Sequence, residues 1–463
     1  MIDMIDNNLI YQQNPWWQRP EAINNDPRIV ALNNLPLVWH PPFIDSLDIS
    51  NDAVHILTGP RQIGKSTSIR FLIQDMLLKK NTPPKNVFLF NCDILNNPRE
   101  LAEIVMFYLD NVAMPGRKYI FLDEVTAVEN WPNGIKWLID TGKGAECVYI
   151  LTGSSSIKLK KSGEFLPGRR GKGRDLSLRP LKFRDYVGLV KPGVARPLPP
   201  EAGFSEIKKY YSDLLLAAPE FPALFERYCL HGGFLKPMNE LHSSGLIQPE
   251  TVDIYLSWIR GELAKDKKRE HIGRLLLEKM RLSLGTGLSY QAFGEYMDVA
   301  SHNTARTYLD FFIDSFIVNE VPFIEISQKR VAWRKNRKYY FSDPFIYWII
   351  TNWGQGGGSI TQVFKEMFNV PEIAGALIEN VVENHLCHWG DHLGYGAAQG
   401  REIDFVIIAK DTGVEVKFQN KVTSYDAAAL KPFKRSYLVS KNTLEDMGHA
   451  IAIPAHLFCM IEL

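Results

Sequence analysis

The sequence has few cysteines, no long apolar run and almost no net charge, and each scarcity excludes a class of protein. Its five cysteines are scattered over 463 residues without a C-x-x-C pair, so we expect buried thiols in a reducing compartment rather than disulfides or zinc. No stretch approaches the roughly 18 apolar residues of a membrane span, and the start shows no signal or transit pattern. We therefore expect a cytoplasmic protein without a membrane partner. The formal charge of +1 favours no particular partner.

The length predicts about three domains, and the composition, 45% hydrophobic and 23% charged, is that of a globular protein. Residues 1–50 are rich in Asn, Pro and Trp and predict an extended N-terminal arm. From about residue 54 to 186, apolar strands alternate with helices, which predicts an α/β core with a parallel sheet covered on both faces. A stretch rich in Pro and Gly, residues 187–204, marks a boundary.

A glycine-rich segment follows the first apolar strand. Residues 59–67, GPRQIGKST, fit the pattern G-x-x-x-x-G-K-[ST], and a strand before it and a helix after it distinguish it from a chance turn. Backbone N–H groups and the helix N-terminus of such a loop cradle phosphate oxygens. Lys65 would neutralise the β- and γ-phosphates and Ser66 would ligate Mg²⁺. The predicted nucleotide-binding residues are Gly59, Gly64, Lys65, Ser66 and Thr67.

Two acids end the strand at residues 119–122. Asp123 and Glu124 would lie beside the phosphates, because ligands bind at the carboxyl edge of parallel strands. We assign Asp123 to the Mg²⁺ shell and Glu124 to the attacking water. A kinase does not need this second acid, so hydrolysis is favoured over phosphoryl transfer. The next strand ends in Thr152 and Ser154, which suit either a γ-phosphate sensor or a serine-rich turn.

These segments resemble blocks of a known family. GPRQIGKST, YIFLDE, LTGSSS, LPGRR and LSLRPLKFRDY are similar to the AAA+-type ATPases of archaea and bacteria that carry a C-terminal restriction-endonuclease-like domain. GGF at 232–234, KYYFSDP at 338–344, ENVVENHL at 379–386, REIDFVI and VEVKF extend the resemblance over nearly the whole chain, although Leu235 follows GGF where proline is expected. The resemblance implies a P-loop AAA+ parallel-sheet core at 51–190, a helical lid at 205–284, and ATP as the nucleotide.

A basic run follows the predicted sensor strand. Residues 158–184 carry ten Lys and Arg against two acids, which suggests contact with an anion, either a neighbouring subunit's γ-phosphate or a nucleic-acid backbone. In the family that the chain resembles, this region supplies an arginine finger to the adjacent subunit. LPGRR then makes Arg169 the first candidate and Arg170 the second. A finger acting in trans implies a homo-oligomer, hexameric in this class.

Residues 285–352 predict a winged helix, with two helices joined around VASHNT and followed by strands that form a wing. The second helix of such a module often enters a DNA major groove, where Arg306 is a candidate reader, although a packing module is the alternative. The wing mixes cations with aromatic residues and suits phosphates and stacked bases, but a solvated charge run fits as well. Its nucleic-acid-binding candidates are Lys329, Arg330, Trp333, Arg334, Lys335, Arg337 and Lys338.

Residues 360–463 predict a nuclease-like α/β domain. Asp404 lies in one apolar strand, and Glu415 and Lys417 alternate on the next, which is the pattern of PD-(D/E)XK nucleases. Two carboxylates and an ammonium can converge on Mg²⁺ and its water, and Glu379 on the preceding helix would add a further acid. The motif is short, so the domain either cleaves or only grips DNA.

The sequence therefore predicts a Mg²⁺-dependent AAA+ ATPase that binds DNA and translocates on it or remodels it. The alternative is an ATP-gated winged-helix regulatory or defence switch without translocation.

Overall fold

The computed structural model describes residues 7–153, 166–298, 301–390 and 392–462. The chain folds into two compact units that divide between Arg179 and Pro180. No helix within these described ranges is long and apolar enough to cross a membrane.

The first unit contains a five-stranded parallel sheet with the order β2-β3-β4-β1-β5. β1 and β4 are buried along their whole length, which confirms the predicted α/β core with apolar parallel strands. The strands are β1 (Ala53–Thr58), β2 (Val87–Asn91), β3 (Lys118–Asp123), β4 (Cys147–Thr152) and β5 (Asp175–Ser177). The helices are α1 (Asn7–Gln13), α2 (Pro27–Asn33), α3 (Phe43–Ser46), α4 (Lys65–Leu78), α5 (Pro98–Asn111) and α6 (Trp131–Asp140).

The N-terminal segment covers the edge strand β2. Asn14 Nδ2 donates to Leu89 O over 2.9 Å, and Asn14 Oδ1 accepts from Leu89 N over 2.7 Å. Trp16 and Trp17 each donate Nε1 to Val87 O over 2.9 Å, and both indoles are buried. The expectation of an extended arm is therefore wrong for this segment. Short helices and turns fold onto the sheet and satisfy backbone groups that an edge strand leaves unpaired.

The second unit begins with six helices. They are α7 (Phe183–Val190), α8 (Phe204–Ala217), α9 (Phe221–His231), α10 (Leu235–Ser244), α11 (Pro249–Lys265) and α12 (Glu270–Leu282). α7 falls within residues 51–190 of the sequence prediction but belongs to the second unit. The Pro- and Gly-rich stretch is tied to the C-terminal end of the chain, because Leu198 N donates to Met460 O and Glu462 N donates to Leu198 O.

Two helices and two short hairpins follow. The helices are α13 (Tyr290–Tyr296) and α14 (His302–Asp314). β6 (Val318–Val321) pairs antiparallel with β9 (Lys338–Phe341), and β7 (Ile324–Glu325) pairs antiparallel with β8 (Arg330–Val331). Leu288, before α13, adds an antiparallel bridge to Arg337. The helix, helix, hairpin order is the one that the sequence predicts for this region.

The C-terminal region carries a six-stranded mixed sheet with the order β10-β11-β12-β13-β15-β14. β10, β11 and β12 are antiparallel, whereas β12, β13 and β15 run parallel. The strands are β10 (Leu393–Ala398), β11 (Arg401–Ile407), β12 (Thr412–Lys417), β13 (Arg435–Ser440), β14 (Glu445–Asp446) and β15 (Ile451–Pro454). The helices are α15 (Pro344–Gln355), α16 (Ile360–Met367), α17 (Pro371–Leu386) and α18 (Ala455–Phe458).

Candidate functional site

The glycine-rich loop joins the end of β1 to the start of α4. Gly59 has a φ of 151°, and a Cβ added there would overlap Leu178 O. Gly64 has a φ of 93° directly before Lys65, the first residue of α4. Both positions therefore favour glycine. The loop presents the N-terminus of a 14-residue helix, which is a ready anion-binding position.

Lys65 is buried, and its ammonium lies inside the loop. Nζ donates to Gly59 O and to Pro60 O, each over 2.8 Å. Ser66 and Thr67 follow on the first turn of α4, and both are half-buried. The structure therefore places these three predicted side chains together at the helix start.

Asp123 gathers two hydroxyl groups at the carboxyl edge of the sheet. Its Oδ1 accepts from Ser66 Oγ over 3.0 Å and from Thr152 Oγ1 over 3.1 Å, and the residue is 1% exposed. The parallel pairing of β1, β3 and β4 brings these chain segments to one edge. Three residues predicted from separate motifs thus meet at one carboxylate.

Arg70 belongs to this cluster, although the sequence analysis did not identify it. Its Nη1 donates to Asp123 Oδ2 over 2.6 Å and to Ser66 O over 3.0 Å, while Nε lies 3.6 Å from Asp26 Oδ2. The guanidinium is buried, so these charge-assisted bonds offset its loss of hydration. Ser66 and Arg70 are four residues apart on α4. This spacing is the sequence signal that places both on one helix face.

Glu124 directly follows the buried acid. Its φ of 54° lies in the left-handed region, which non-glycine residues seldom adopt, and it precedes a short turn at Val125–Ala127. Backbone strain of this kind is often found at functional sites. On the neighbouring strand the described chain ends at Gly153, so the predicted sensor Ser154 lies outside the described residues.

The two arginine-finger candidates form ion pairs within the first unit. Arg169 donates Nε and Nη2 to the Asp140 carboxylate over 2.7 and 3.1 Å, and its side chain is 35% exposed. Arg170 binds Asp175 over 2.7 and 3.2 Å. Exposed ion pairs contribute little stability, so Arg169 can exchange Asp140 for another anion at small cost.

The acids predicted in the C-terminal region converge on β11, β12 and α17. Asp404 N donates to Glu415 Oε2 over 3.4 Å, and Glu415 Oε1 lies 2.7 Å from Lys417 Nζ. Glu379 on α17 shares a cation with Asp404, since Lys338 Nζ lies within 3.2 Å of both carboxylates. The structure therefore brings together all four residues of the predicted nuclease-like pattern. We call Glu379, Glu402, Asp404 and Glu415 the acid cluster.

Lys338 lies inside the acid cluster rather than on the surface. Its Nζ is 3.0 Å from Asp404 Oδ1, 3.2 Å from Glu379 Oε1 and 2.9 Å from Glu402 Oε1, and the side chain is 0% exposed. The prediction that Lys338 binds nucleic acid is wrong, because an ammonium has three donors and all three face carboxylates. The charge pattern alone could not separate this buried cation from its exposed neighbours.

Burial and mutual repulsion both oppose ionisation of the acid cluster. Burial and the charge of Asp404 raise the pKa of Glu379 to about 7, and the same two causes raise the pKa of Glu415 to about 7. Burial lowers the pKa of Lys338, but the charges of Asp404 and Glu379 outweigh burial and hold that pKa above its ordinary value. Four carboxylates thus face two ammonium groups, those of Lys338 and Lys417.

Three of the other predicted nucleic-acid-binding residues are ion-paired, and one of them, Arg330, lies 3.7 Å from Glu325. Arg337 is half-buried and lies 3.3 Å from Glu320, and Arg306 on α14 is exposed and lies 3.7 Å from Asp310. Trp333 is 71% exposed. We call the exposed residues around β8 the basic hairpin: Lys329, Arg330, Trp333, Arg334 and Lys335.

The GGF block serves the internal structure of the second unit. Gly232 has a φ of 60°, and a Cβ added there would overlap the Asp343 carboxylate. Gly233 N donates to Asp343 Oδ2 over 2.7 Å, and Phe345 N donates to Asp343 Oδ1 over 2.8 Å. Two blocks of the family resemblance, GGF and KYYFSDP, therefore stabilise one another.

Among the described residues, no group of three or more His, Cys, Asp or Glu side chains is arranged to hold a metal ion. At Asp123, the second carboxylate oxygen is bound by Arg70. In the acid cluster, the Lys338 ammonium lies between Glu379 and Asp404. A cation of the protein thus lies between the carboxylates of the acid cluster, whereas at Asp123 only one carboxylate oxygen is bound by a cation and the other faces two hydroxyl groups.

The first unit has an α/β fold with a parallel-sheet P-loop core. Three features identify it: the glycine-rich loop after β1, the acid at the end of β3 and the order of the parallel strands. Residues 51–187 match an AAA domain. Residues 222–356 match a domain of unknown function, DUF8612. An uncharacterized protein of Methanocaldococcus jannaschii is 20% identical over 414 residues, which cover 83% of this chain and 82% of that protein.

Three solved structures are among those similar to this chain. The Aeropyrum pernix ORC1 protein in complex with DNA is 12% identical, with a TM-score of 0.28 over 73% of this chain and 96% of that chain. Cdc6p of Pyrobaculum aerophilum is 13% identical, with a TM-score of 0.23 over 83% and 97%. A RuvB variant of Thermotoga maritima is 12% identical, with a TM-score of 0.26 over 69% and 90%.

Proposed function

We propose that this chain is a Mg²⁺-dependent AAA+ ATPase that binds DNA and uses ATP hydrolysis to translocate on it or to remodel it. The observation that carries the proposal is the meeting of Ser66 and Thr152 at Asp123, beside the phosphate loop. The match of residues 51–187 to an AAA domain supports the same assignment.

The residues at this site fit Mg²⁺ and a nucleoside triphosphate. Mg²⁺ beside phosphates takes one or two protein oxygens and keeps several waters, and Ser66 Oγ and the Asp123 carboxylate can supply those oxygens. The loop N–H groups and Lys65 neutralise the phosphates. Glu124 orients and polarises the attacking water, while Thr152 contacts the γ-phosphate as a sensor. Ser154 and Thr67 complete the proposed set.

Arg169 is the proposed finger for the site of an adjacent protomer, with Arg170 as the second candidate. Its exposed, replaceable ion pair with Asp140 supports this role. The arrangement requires a homo-oligomer, and a hexameric ring is the form that the family resemblance implies.

The DNA contacts are proposed for a winged-helix module at residues 285–352. The helix, helix, hairpin order supports that module, and the basic hairpin adds four exposed cations and an exposed indole. Cations suit phosphates and an indole suits base stacking. Arg306 lies exposed on the second helix, where a major-groove contact would form.

The C-terminal region is proposed as a PD-(D/E)XK-type domain that cleaves or clamps DNA. A helix carrying Glu379 precedes three antiparallel strands that carry Asp404, Glu415 and Lys417, and parallel strands follow. Carboxylate oxygens are ligands that divalent cations prefer, and a divalent cation in place of the Lys338 ammonium would supply an activated water and stabilise the developing phosphate charge. Lys417, paired with Glu415, would hold the water or the phosphate in place.

ATP turnover measured with and without DNA tests the motor proposal. We expect duplex or forked DNA to accelerate turnover in wild-type protein, with Glu124→Gln as the inactive control. Slow turnover that is indifferent to every DNA form would instead favour the regulatory or defence switch.

Incubation of linear, forked and four-way DNA with Mg²⁺ or Mn²⁺ tests the nuclease proposal. Cleavage should need the divalent ion, persist in Lys65→Ala, and vanish in Asp404→Ala and Lys417→Ala. Absence of cleavage together with weaker DNA binding by Lys417→Ala would assign the domain to gripping alone.

A further inference from the structure

Lys338 satisfies the acid cluster with a cation that belongs to the chain. Its three N–H donors face three carboxylates at 2.9–3.2 Å, and no part of its side chain is exposed. Tyr340 adds a bond to the same Glu379 oxygen, since its hydroxyl donates to Oε1 over 2.6 Å. The ammonium is therefore held in one place by groups from β11 and α17.

A divalent cation would need the same oxygens. Hard divalent ions bind carboxylate oxygens at roughly 2.0–2.6 Å, so an ion between Glu379 and Asp404 would have to replace the ammonium there. The two other oxygens nearby are already bonded, because Val416 N donates to Asp404 Oδ2 and Lys417 pairs with Glu415 Oε1. Departure of Lys338 would remove the cation from both Asp404 Oδ1 and Glu379 Oε1, and Glu379 Oε1 would then keep only its bond from the Tyr340 hydroxyl.

The net negative charge of the acid cluster favours the exchange of the ammonium for a divalent cation. Four carboxylates against two ammonium groups leave two negative charges when every group is ionised. Replacing one ammonium by a divalent ion removes one of those charges.

We propose that Lys338 is a resident competitor for the divalent cation, so that metal enters between Glu379 and Asp404 only when the ammonium leaves. This inference rests on the proposed metal site of the C-terminal domain. In this role Lys338 holds the carboxylates of the acid cluster in place while no metal is bound. The isolated protein is then more stable without the metal than with it.

Mn²⁺ binding to the nucleotide-free full chain, followed by calorimetric titration, tests the inference without relying on cleavage. Wild type should bind Mn²⁺ weakly, and Lys338→Met should bind it roughly tenfold more tightly or better, because the competing charge is gone. Lys338→Arg should resemble wild type. The matched control is Lys208→Met, which removes an exposed lysine of α8 and should change nothing.

Asp404→Asn separates this inference from the proposed metal site. Added to Lys338→Met, it should abolish the gain in Mn²⁺ affinity. If wild type binds Mn²⁺ in an Asp404-dependent way and Lys338→Met does not tighten it, the inference fails while the metal site stands. If Asp404→Asn has no effect in either background, the metal site fails as well.

Thermal melting covers the case in which removal of a buried cation weakens the fold. Mn²⁺ should raise the melting temperature of Lys338→Met much more than that of wild type, because the ion replaces the lost charge. Equal shifts overturn the inference. A Lys338→Met chain that stays unfolded in Mn²⁺ also overturns it, since the ammonium would then be indispensable rather than exchangeable.

Discussion

The Ser66 hydroxyl donates to Asp123 Oδ1 over 3.0 Å, although the two residues are 57 positions apart in the chain. The bond fixes the first turn of α4 against the end of β3. The proposed phosphate-binding groups and the acid pair are thereby linked directly, yet they come from different elements. Changes at each can therefore separate nucleotide binding from hydrolysis.

Lys65→Ala should abolish most nucleotide binding, because it removes the ammonium from inside the phosphate loop. Glu124→Gln should retain binding and lose roughly 10²- to 10⁴-fold in turnover, since the amide keeps the shape but cannot polarise water as a base does. Fluorescent-nucleotide binding and phosphate release measure the two effects. Lys85→Ala, at an exposed lysine, is the control. Equal loss of binding in both variants would contradict the separate roles.

Arg169→Ala should retain ATP binding and lose about 10³- to 10⁵-fold in turnover if it acts as a finger. Asp140→Asn, which removes only the partner of Arg169, should leave turnover near the wild-type rate. Mixing Arg169→Ala with Glu124→Gln protein tests the shared site, because a mixed oligomer combines an intact finger with an intact acid. If neither the Arg169→Ala substitution nor the mixing changes the rate of ATP turnover, Arg169 does not act as an arginine finger.

Paired substitutions test the basic hairpin. Arg334→Gln with Lys335→Gln should weaken DNA binding and lower the slope of log affinity against log salt by about 2, because two phosphate contacts are lost. Lys208→Gln with Lys209→Gln makes the same charge change on exposed residues of α8 and should leave the slope unchanged. Equal effects from both pairs would show a non-specific response to net charge.

Because His456 is buried, we expect the free energy of unfolding of the protein to fall in mild acid. Burial lowers the pKa of His456 to about 4, and its Nε2 is hydrogen-bonded to the Tyr211 hydroxyl over 2.8 Å. As pH falls below about 6.5, the unfolded chain takes up a proton that the folded chain refuses until about pH 4. The free energy of unfolding should fall across that window by an amount on the order of 3 kcal/mol.

Urea unfolding at pH 7 and at pH 4.5 measures this effect. His456→Gln can still accept the Tyr211 hydroxyl bond but does not titrate, so its unfolding free energy should depend less on pH than that of wild type. Identical pH dependence in the two proteins would place the acid sensitivity elsewhere.

The parallel core was predictable because its signals are local. A strand, a glycine loop and a helix start within a few residues identify the phosphate loop, and an apolar strand ending in Asp123 gives the acid. The four-residue spacing from Ser66 places Arg70 on the same face of α4, but it does not show which acid Arg70 binds. Its meaning comes from Asp123, which lies 53 positions further along the chain.

Lys338 shows a different limit of the sequence. The run of cations at residues 329–338 gives one charge pattern, but the fold exposes its beginning and buries its end. The acid partners that decide this, Glu379 and Asp404, lie 41 and 66 positions away. The N-terminal segment was misjudged for a similar reason, since Asn- and Trp-rich sequence has no periodicity yet pairs with a distant strand edge.

The side chains that cover β2 also limit how molecules of this protein can associate. Asn14, Trp16 and Trp17 use the backbone groups of Val87 and Leu89 that a strand from another molecule would need. A second chain therefore cannot extend the sheet by pairing a strand with β2 while these bonds are in place. A chain that lacks its first 17 residues would expose the β2 edge. We expect light scattering to show concentration-dependent aggregation of this shortened chain. The N-terminal segment would then be a part of the fold that prevents polymerisation through β2.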